Sequence, residues 1–405
     1  MRPGMGRLGL LTRVVAGSLA LALAGCAAPA PPPAPPQPEL RLQPVAFERL
    51  AGWSEDDPRA ALAAFRRSCA KLRSAGKGPM GPEPAFGVVD DWLTVCAAAD
   101  QPASAASAAS ARDFFEAWFQ PHQVTDRGAP EGLFTGYYEP VLNGSRRPGP
   151  LYPVPLHAPP PDLLRIDLGR FNSELAGYAI YGRIAGREFV PYHSRAEIEG
   201  GALAGRDLEL VWVDDPIAKF FLQIQGSGQV RLDDGAVVRV GYATQNGHPS
   251  RAIGRDLIEI GALTRDEVSL QAIRAWLQAH PGDAAAIMAR NRSYIFFQEH
   301  PELAAADGPL GAQGVPLTAG RSLAVDRRHI PLGVPLWLET SLPAPEGLAP
   351  LRRLMVAQDT GGAIKGVVRG DVFWGGGERA EAVAGRMKSP GRYAVLLPRA
   401  LVPTS

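Results

Sequence analysis

The sequence predicts a mainly β protein with some helices, and two observations favour this fold class. Glycine and proline are abundant, with 45 and 39 residues among 405, as is typical of a chain with many turns. Short apolar runs with the composition of β-strands recur along the chain: LELVWV, FFLQIQ, AVVRVGY, SYIFF, PLWLE and RYAVLL. We therefore expect a turn-rich β architecture to which a few helices are added.

Residues 1–25 have the features of a lipoprotein signal peptide. Three arginines precede the apolar stretch VVAGSLALALAG, which is too short to span a membrane as a helix. The stretch ends in Leu-Ala-Gly-Cys, the pattern of a bacterial lipoprotein box, so Cys26 is the predicted acylation site. Ala27 rather than Asp follows Cys26, which in Gram-negative bacteria favours an outer membrane lipoprotein facing the periplasm. A plain secreted protein with an incidental Cys26 is the alternative.

Residues 26–42 are predicted to form the acylated cysteine and a tether. The run APAPPPAPPQPE is too poor in hydrophobic residues to fold and is stiffened toward polyproline II. The protein would then contact the membrane through its lipid anchor only.

Charge and cysteine usage argue against nucleic acid binding and against a metal site. With 42 Lys and Arg against 41 Asp and Glu, the chain has no basic excess, so we expect no nucleic acid partner. Besides Cys26 the chain contains only Cys69 and Cys96, which in an oxidising periplasm predict a disulfide, with two free thiols as the alternative. No histidine or further cysteine lies close to either residue, so we expect no metal site.

Four segments have the spacing or the end signals of helices. They are a helix beginning near Ser54 with Leu62, Phe65 and Leu72 on one face, residues 110–119 with Phe114, Phe115, Trp118 and Phe119 on the buried side, a short helix at 194–205, and residues 269–291, interrupted at Pro281.

Three aspartates in the last hundred residues are the main candidates for chemistry. They are Asp326 in AVDRRHIPLG, Asp359 in QDTGGAIKG and Asp371 in RGDVFWGGG. The spacing of the last two suits consecutive elements of a small β-barrel that bring both carboxylates to one cleft. Each aspartate taken alone is also an ordinary turn residue, but paired carboxylates are typical of enzymes that break glycosidic bonds.

Loops with aromatic and polar residues supply candidates for sugar contacts. GLFTGYYEP (132–140) carries two tyrosines, FFLQIQGSGQVRL (220–232) is interpreted as a strand that exits into a turn, and GYATQNGHPSRAIG (241–254) has the same scheme. Core packing of a tyrosine and a simple hairpin turn are the alternatives. The predicted substrate-binding residues are Tyr137, Tyr138, Gln225, Gly226, Ser227, Asn246 and Lys365.

In this order, GYYEP, LQIQGSG, GYATQNGHPSRAIG, PLTAGRSLAVDRRHIPLG and DTGGAIKG…RGDVFWGGG resemble the membrane-bound lytic murein transglycosylase A (MltA) family. The resemblance covers residues from about 45 to 399. It implies a double-psi β-barrel domain, the three-aspartate domain, formed here by residues 43–145 and 266–405. An inserted second β-barrel-like domain at 146–265 would interrupt it, with the substrate groove between the two.

The resemblance also implies an activity and roles for the aspartates. Family members cleave the β-1,4 bond between N-acetylmuramic acid and N-acetylglucosamine in peptidoglycan glycan strands and leave 1,6-anhydro ends. The family's single acid/base corresponds to Asp371, and its two supporting aspartates correspond to Asp359 and Asp326. No cofactor or metal is implied, and association with other cell-wall enzymes stays open.

The neighbours of each aspartate independently favour Asp371 as the acid. Asp326 precedes two arginines that would hold it ionised, and Asp359 precedes Thr-Gly-Gly, whose amides would lower its pKa. Asp371 precedes Val-Phe-Trp, an apolar environment that would raise its pKa and keep a proton available.

Two other functions remain open at this point. An inverting hydrolase would use Asp371 as acid and Asp359 as base for water, and would produce reducing ends. A non-catalytic cell-wall-binding lipoprotein would grip the glycan without cutting it, since a fold alone does not decide chemistry.

Overall fold

The computed structural model describes residues 37–304, 306–344 and 347–402. The predicted signal peptide, Cys26 and residues 27–36 of the tether lie outside these ranges. The described residues from Pro38 onward form one compact unit. Residues 40–42, predicted as the end of the tether, belong instead to a strand that pairs with residues 124–126. Every helix in the described ranges is too short or too polar to cross a membrane.

The mainly β fold class with some helices is confirmed. The strands are β1 (Leu40–Pro44), β2 (Phe119–Asp126), β3 (Gly132–Glu139), β4 (Val141–Ser145), β5 (Val154–His157), β6 (Leu164–Asp167), β7 (Ala179–Ala185), β8 (Glu188–Pro191), β9 (Glu209–Val213), β10 (Ser227–Leu232), β11 (Val237–Gln245), β12 (Ile295–Glu299), β13 (Ser322–Val325), β14 (Pro335–Ala344), β15 (Gly347–Asp359), β16 (Arg369–Gly376) and β17 (Lys388–Pro398). The helices are α1 (Arg59–Ser74), α2 (Val89–Ala99), α3 (Ala108–Trp118), α4 (Arg195–Glu197, continued by a π-helix over Ile198–Ala202), α5 (Pro216–Gln225), α6 (Gly254–Glu259), α7 (Leu270–Ala279), α8 (Pro281–Ala289) and α9 (Glu378–Ala384).

Six strands close into a barrel in the order β17-β14-β15-β13-β16-β3. The ring closes at β17, because residues 388–391 of this long strand pair with β3 and residues 392–395 pair with β14. Its last residues pair with β2, which continues the sheet to β1. Apolar side chains of the ring and of α1, α2 and α3 form the largest core. A disulfide joins Cys69 of α1 to Cys96 of α2, with an S–S distance of 2.04 Å.

A second sheet, in the order β12-β11-β10-β4-β9-β5, encloses its own apolar core. It includes β4 and β12, which lie outside the range 146–265 predicted for the inserted domain. Since β4 follows β3 after a single residue, the chain leaves the barrel directly into this sheet. We therefore propose that the insert runs from β4 to β12. A three-stranded sheet, β6-β7-β8, extends from it.

One predicted strand is wrong, because FFLQIQ lies in helix α5. The signals for this helix are at its ends: the Asp215 carboxylate accepts a hydrogen bond from the Ile217 amide at 2.7 Å, and proline occupies the first helical position. Gly226, with φ of +85°, ends the helix in the left-handed conformation. Of the aromatics predicted on the buried side of residues 110–119, Trp118 is instead 37% exposed.

A buried ion pair connects the barrel with the insert. Arg239 of β11 donates from Nη2 to both carboxylate oxygens of Glu139, at 2.9 and 3.1 Å, where β3 ends. Its Nη1 donates to the carbonyls of Ala304 and Asp307, at 3.0 and 2.7 Å, in the segment that returns to the barrel. One guanidinium therefore holds both connections between the two bodies.

We expect Arg239→Met to lower the free energy of unfolding by about 3–5 kcal/mol, because it leaves the Glu139 carboxylate buried without a cation. Urea denaturation followed by tryptophan fluorescence measures the change. Arg41→Met is the matched control, since Arg41 and Glu39 form an exposed pair at 2.8 Å whose loss should change stability far less. Equal losses in the two variants would contradict the role of Arg239.

Candidate active site

Asp371 and Asp359 lie in one row across neighbouring barrel strands. Ala324 of β13 pairs with Asp371 of β16 on one side and with Asp359, the last residue of β15, on the other. Beyond Asp371 the row continues with Thr135 of β3. Since directly opposed residues point to the same face of a sheet, these side chains emerge together.

The row lies on the outer face of the barrel. Val372 and Phe134 belong to the main core, and the alternation of side chains turns Asp371 and Thr135 the opposite way. Beside the row lies a small buried cluster formed by Tyr137, Leu317, Ala324, Ile364 and Phe373. The two carboxyl groups therefore rest against an apolar floor while Asp371 stays partly exposed.

A bulge in β15 brings Asp359 into the row. Leu323 pairs with Ala357, whereas the next residue, Ala324, pairs with Asp359 and leaves Gln358 as the extra residue. Gln358 is buried, and its amide donates to the Ala64 carbonyl at 2.8 Å and to Ser68 Oγ at 2.9 Å in α1. Without the extra residue, Gln358 and not Asp359 would oppose Ala324.

Asp371 has a carboxyl group with a raised pKa, so a fraction of it still carries a proton near neutral pH. Burial raises its pKa to about 6, and the nearby Asp359 adds to the increase. A hydrogen bond from Thr135 Oγ1 to Oδ1, at 2.6 Å, and the charge of Arg369 act in the opposite direction. At this pKa roughly one carboxyl group in ten is protonated at pH 7.

Asp359 is held as an acceptor. Its Oδ2 accepts a hydrogen bond from Tyr137 Oη at 2.7 Å, and its Oδ1 accepts from the amides of Ala312 and Thr360 at 2.8 and 2.9 Å. Burial raises the pKa of Asp359, while these three donors favour its charged form and oppose the increase. Burial likewise raises the pKa of Tyr137 well above its ordinary value, so this hydroxyl remains a donor.

Asp326 is an ionised anchor for the loop between β15 and β16. Its carboxylate accepts from Arg328 Nη2 at 2.6 Å and from the Gly366 amide at 2.9 Å. Burial favours the neutral acid, but these hydrogen bonds outweigh it and lower the pKa of Asp326 to about 2. The loop that Asp326 holds carries Ile364 of the apolar floor and Lys365, whose side chain is exposed.

Two of the predicted substrate-binding residues have their polar groups engaged by the protein itself. Asn246 is buried; its amide donates to the carbonyls of His193 and Arg292, both at 2.9 Å, and its Oδ1 accepts from the Tyr294 amide at 2.9 Å. Tyr138 packs in a buried cluster against α9. Both side chains are thus held by contacts within the protein, and their predicted contact with substrate stays a prediction.

The predicted residues around 225 lie at the boundary between barrel and insert. The Tyr138 amide on β3 donates to Gln225 Oε1 at 3.1 Å, which brings the end of α5 to the strand that carries Thr135. Gln225 is partly exposed, whereas Ser227 is buried at the start of β10. Gly226 supplies the left-handed turn between them.

The sequence interpretation missed Thr135 and Arg369. Arg369 Nη2 donates to Thr135 Oγ1 at 2.8 Å, and Thr135 contacts Asp371. Thr135 stands two residues before Tyr137, so strand alternation places these two on one face, and the same spacing places Arg369 on the face of Asp371. The sequence shows this spacing, but it does not show that β3 pairs with β16. Within the described ranges, no three His, Cys, Asp or Glu side chains converge to hold a metal ion.

Comparisons with known proteins match the chain in two regions. Residues 133–298 match the family described as MltA specific insert domain, and residues 321–397 match the 3D domain. The chain is 33% identical to membrane-bound lytic murein transglycosylase A of Vibrio cholerae over 64% of each chain, and 34% identical to the Escherichia coli protein of that name over 65% of each. The matched region thus spans slightly less than two thirds of these relatives.

Solved structures match over a larger share. A membrane-bound lytic murein transglycosylase from Agrobacterium tumefaciens is 34% identical, with 89% of this chain and 98% of that chain covered and a TM-score of 0.78. MltA from Neisseria gonorrhoeae, in a monoclinic form, is 37% identical, with 89% and 93% covered and a TM-score of 0.73. E. coli MltA with bound chitohexaose is 26% identical, with 89% and 92% covered and a TM-score of 0.62.

We expect Asp326→Asn to lower stability by about 2 kcal/mol at pH 7, because the pKa of Asp326 falls from about 3.9 in the unfolded chain to about 2 in the folded one. A lowered folded pKa contributes stability above the unfolded pKa that is lost as pH falls. The difference between variant and parent should therefore shrink between pH 4 and pH 3, as measured by urea denaturation. A difference that is constant over this range would contradict the ionised state of Asp326.

Proposed function

This chain belongs to the membrane-bound lytic murein transglycosylase A family, and we propose that it is a lytic transglycosylase. It cleaves the β-1,4 bond between N-acetylmuramic acid and N-acetylglucosamine in peptidoglycan and leaves 1,6-anhydromuramic acid ends. The single observation that carries this proposal is the state of Asp371, a partly exposed carboxyl group with a pKa of about 6 on the outer face of the barrel. A second carboxyl group, Asp359, lies across β13 on the same face and already accepts three hydrogen bonds.

Asp371 acts first as an acid. Its proton passes to the glycosidic oxygen while the bond from that oxygen to C1 of muramic acid breaks, and positive charge develops at C1. The apolar floor around Phe373 and Ile364 raises the pKa of this carboxyl group, so part of it carries the proton near neutral pH. The glucosamine then leaves with a hydroxyl group.

The same carboxylate then acts as a base. It takes the proton of the C6 hydroxyl of muramic acid as that oxygen attacks C1 and forms the 1,6-anhydro bridge. Asp371 is protonated again, so no water is consumed and no second carboxylate is needed. Because the attacking hydroxyl belongs to the substrate, its effective concentration is high without a positioned water.

The engagement of Asp359 argues against an inverting hydrolase. A base for water needs an accessible lone pair on its carboxylate, whereas hydrogen bonds from Tyr137, Ala312 and Thr360 occupy three of the roughly four lone pairs of Asp359. Asp359 and Asp371 are separated by the whole of β13, so two strand spacings place their backbones about 10 Å apart. This spacing suits an inverting pair, so it is the hydrogen bonds of Asp359 that argue against a hydrolase. We assign Asp359 to positioning the loop at Ala312 and the ring of Tyr137.

Glycan binding is supported by the chitohexaose complex of the E. coli relative. We propose that the glycan strand lies in a groove between barrel and insert, where Gln225 meets β3 and Lys365 is exposed. A protein that only bound glycan would have no use for a carboxyl group with a raised pKa, so we favour the enzyme. We further propose that Cys26 is acylated and attaches the protein to the periplasmic face of the outer membrane.

We expect Asp371→Asn to lower the release of 1,6-anhydro muropeptides from purified murein sacculi by about 10²–10⁴-fold, because an amide cannot donate the proton. Mass spectrometry of digests with the protein lacking residues 1–26 measures the release. Asp359→Asn is the matched control and should keep a reduced release of the same anhydro products.

Circular dichroism and sedimentation with sacculi show whether Asp371→Asn still folds and binds. Activity retained by a folded Asp371→Asn protein would contradict the assignment. Reducing ends from the parent protein would favour the hydrolase, and sedimentation without any cleavage would favour the binding protein.

A further inference from the structure

Three side chains on two adjacent strands form a linear hydrogen-bonded chain that ends at the proposed acid. Arg369 Nη2 donates to Thr135 Oγ1 at 2.8 Å, and Thr135 Oγ1 donates to Asp371 Oδ1 at 2.6 Å. Arg369 is itself fixed, because its Nη1 donates to the carbonyls of Leu133 and Gly370. The guanidinium therefore has little freedom to turn away from Thr135.

The direction of this chain follows from the chemistry of its first member. A guanidinium can donate but cannot accept, so Arg369 occupies a lone pair of Thr135 Oγ1. The carboxylate of Asp371 has no hydrogen and can only accept, so the one hydrogen of the Thr135 hydroxyl points to its Oδ1. A proton on Oδ1 of Asp371 would face that hydrogen, whereas a proton on Oδ2 meets no such conflict.

We infer that Arg369 and Thr135 are positioning residues that keep the transferable proton of Asp371 on Oδ2. This inference rests on the proposed function, in which Asp371 is the acid and base. Oδ2 is then the atom that gives the proton to the glycosidic oxygen and afterwards takes the proton of the C6 hydroxyl. Oδ1 keeps its hydrogen bond from Thr135 throughout, so the carboxyl group does not have to rotate between the two steps.

The charged groups around Asp371 are consistent with these separate roles of Oδ1 and Oδ2. Arg369 on its own strand favours the carboxylate, Asp359 from β15 opposes it, and Tyr137 from β3 remains neutral because burial and the adjacent carboxylates raise its pKa. Thr135 favours the carboxylate through its hydrogen bond. Removing the Thr135 hydroxyl should therefore raise the pKa of Asp371.

The test compares Thr135→Val with Thr135→Ser in the protein lacking residues 1–26, using anhydro muropeptide release from murein sacculi between pH 4 and pH 8. Valine keeps the shape of threonine but cannot donate, whereas serine keeps the hydroxyl group. We expect Thr135→Val to lower the maximal rate by about 10- to 100-fold, the usual effect of a lost hydrogen bond to a charged group. The alkaline limb of its pH–rate profile should move to higher pH. Thr135→Ser should keep the rate and the pH profile of the parent protein.

Arg369→Gln is the second variant, since it removes the charge that orients Thr135. It should also move the limb to higher pH, and thermal denaturation shows whether it is folded. A Thr135→Val protein that loses rate without any shift of the alkaline limb would contradict the positioning role. Thr135 would then have a purely structural role.

The experiments distinguish a failure of the proposed function from a failure of the positioning role of Arg369 and Thr135. If folded Asp371→Asn stays active or the parent produces reducing ends, the acid assignment itself is wrong. Suppose instead that Asp371→Asn is inactive and the parent produces anhydro ends, but Thr135→Val has the parent's pH profile. Then only the positioning role of Arg369 and Thr135 is wrong.

Discussion

The active face depends on the pairing of Ala324 with Asp371 on one side and with Asp359 on the other. The bulge in β15 decides which side chain of that strand opposes Ala324. It turns Gln358 inward to α1, where it is hydrogen-bonded and buried, and turns Asp359 outward to the apolar floor. A single inserted residue thus couples the packing of a helix to the position of a carboxylate, and the barrel supplies the rigidity that keeps both in place.

Three aspartates have three different states because burial and hydrogen bonding are combined differently around each. Asp326 is buried but bonded to an arginine and an amide, and its pKa falls to about 2. Asp359 is half-buried among three donors, which hold it as an acceptor. Asp371 has one donor, and burial dominates, so its pKa rises to about 6. One residue type therefore provides an ionised anchor and the two groups that we propose as a positioning residue and an acid.

Local sequence predicted the direction of the pKa shift at Asp326 and Asp371. The prediction for Asp359 was wrong, because burial raises its pKa although the amides do donate to it. Arg328 does hold Asp326, and Val372 and Phe373 do belong to buried clusters next to Asp371. Helix α5 was mistaken for a strand because its apolar run is compatible with both periods, and the signals at Asp215 and Gly226 decide the matter.

Residues whose roles depend on distant pairing could not be found from the sequence. Thr135 reaches Asp371 across 236 positions, and Asn246 has its polar groups satisfied by carbonyls and an amide from other segments.

The most direct test of the mechanism is digestion of murein sacculi in water enriched in oxygen-18, followed by mass spectrometry of the new muramic acid ends. Internal attack by the C6 hydroxyl predicts anhydro ends that contain no oxygen-18. Ends that carry one atom of oxygen-18 at C1 would show that water is the nucleophile and would contradict the account.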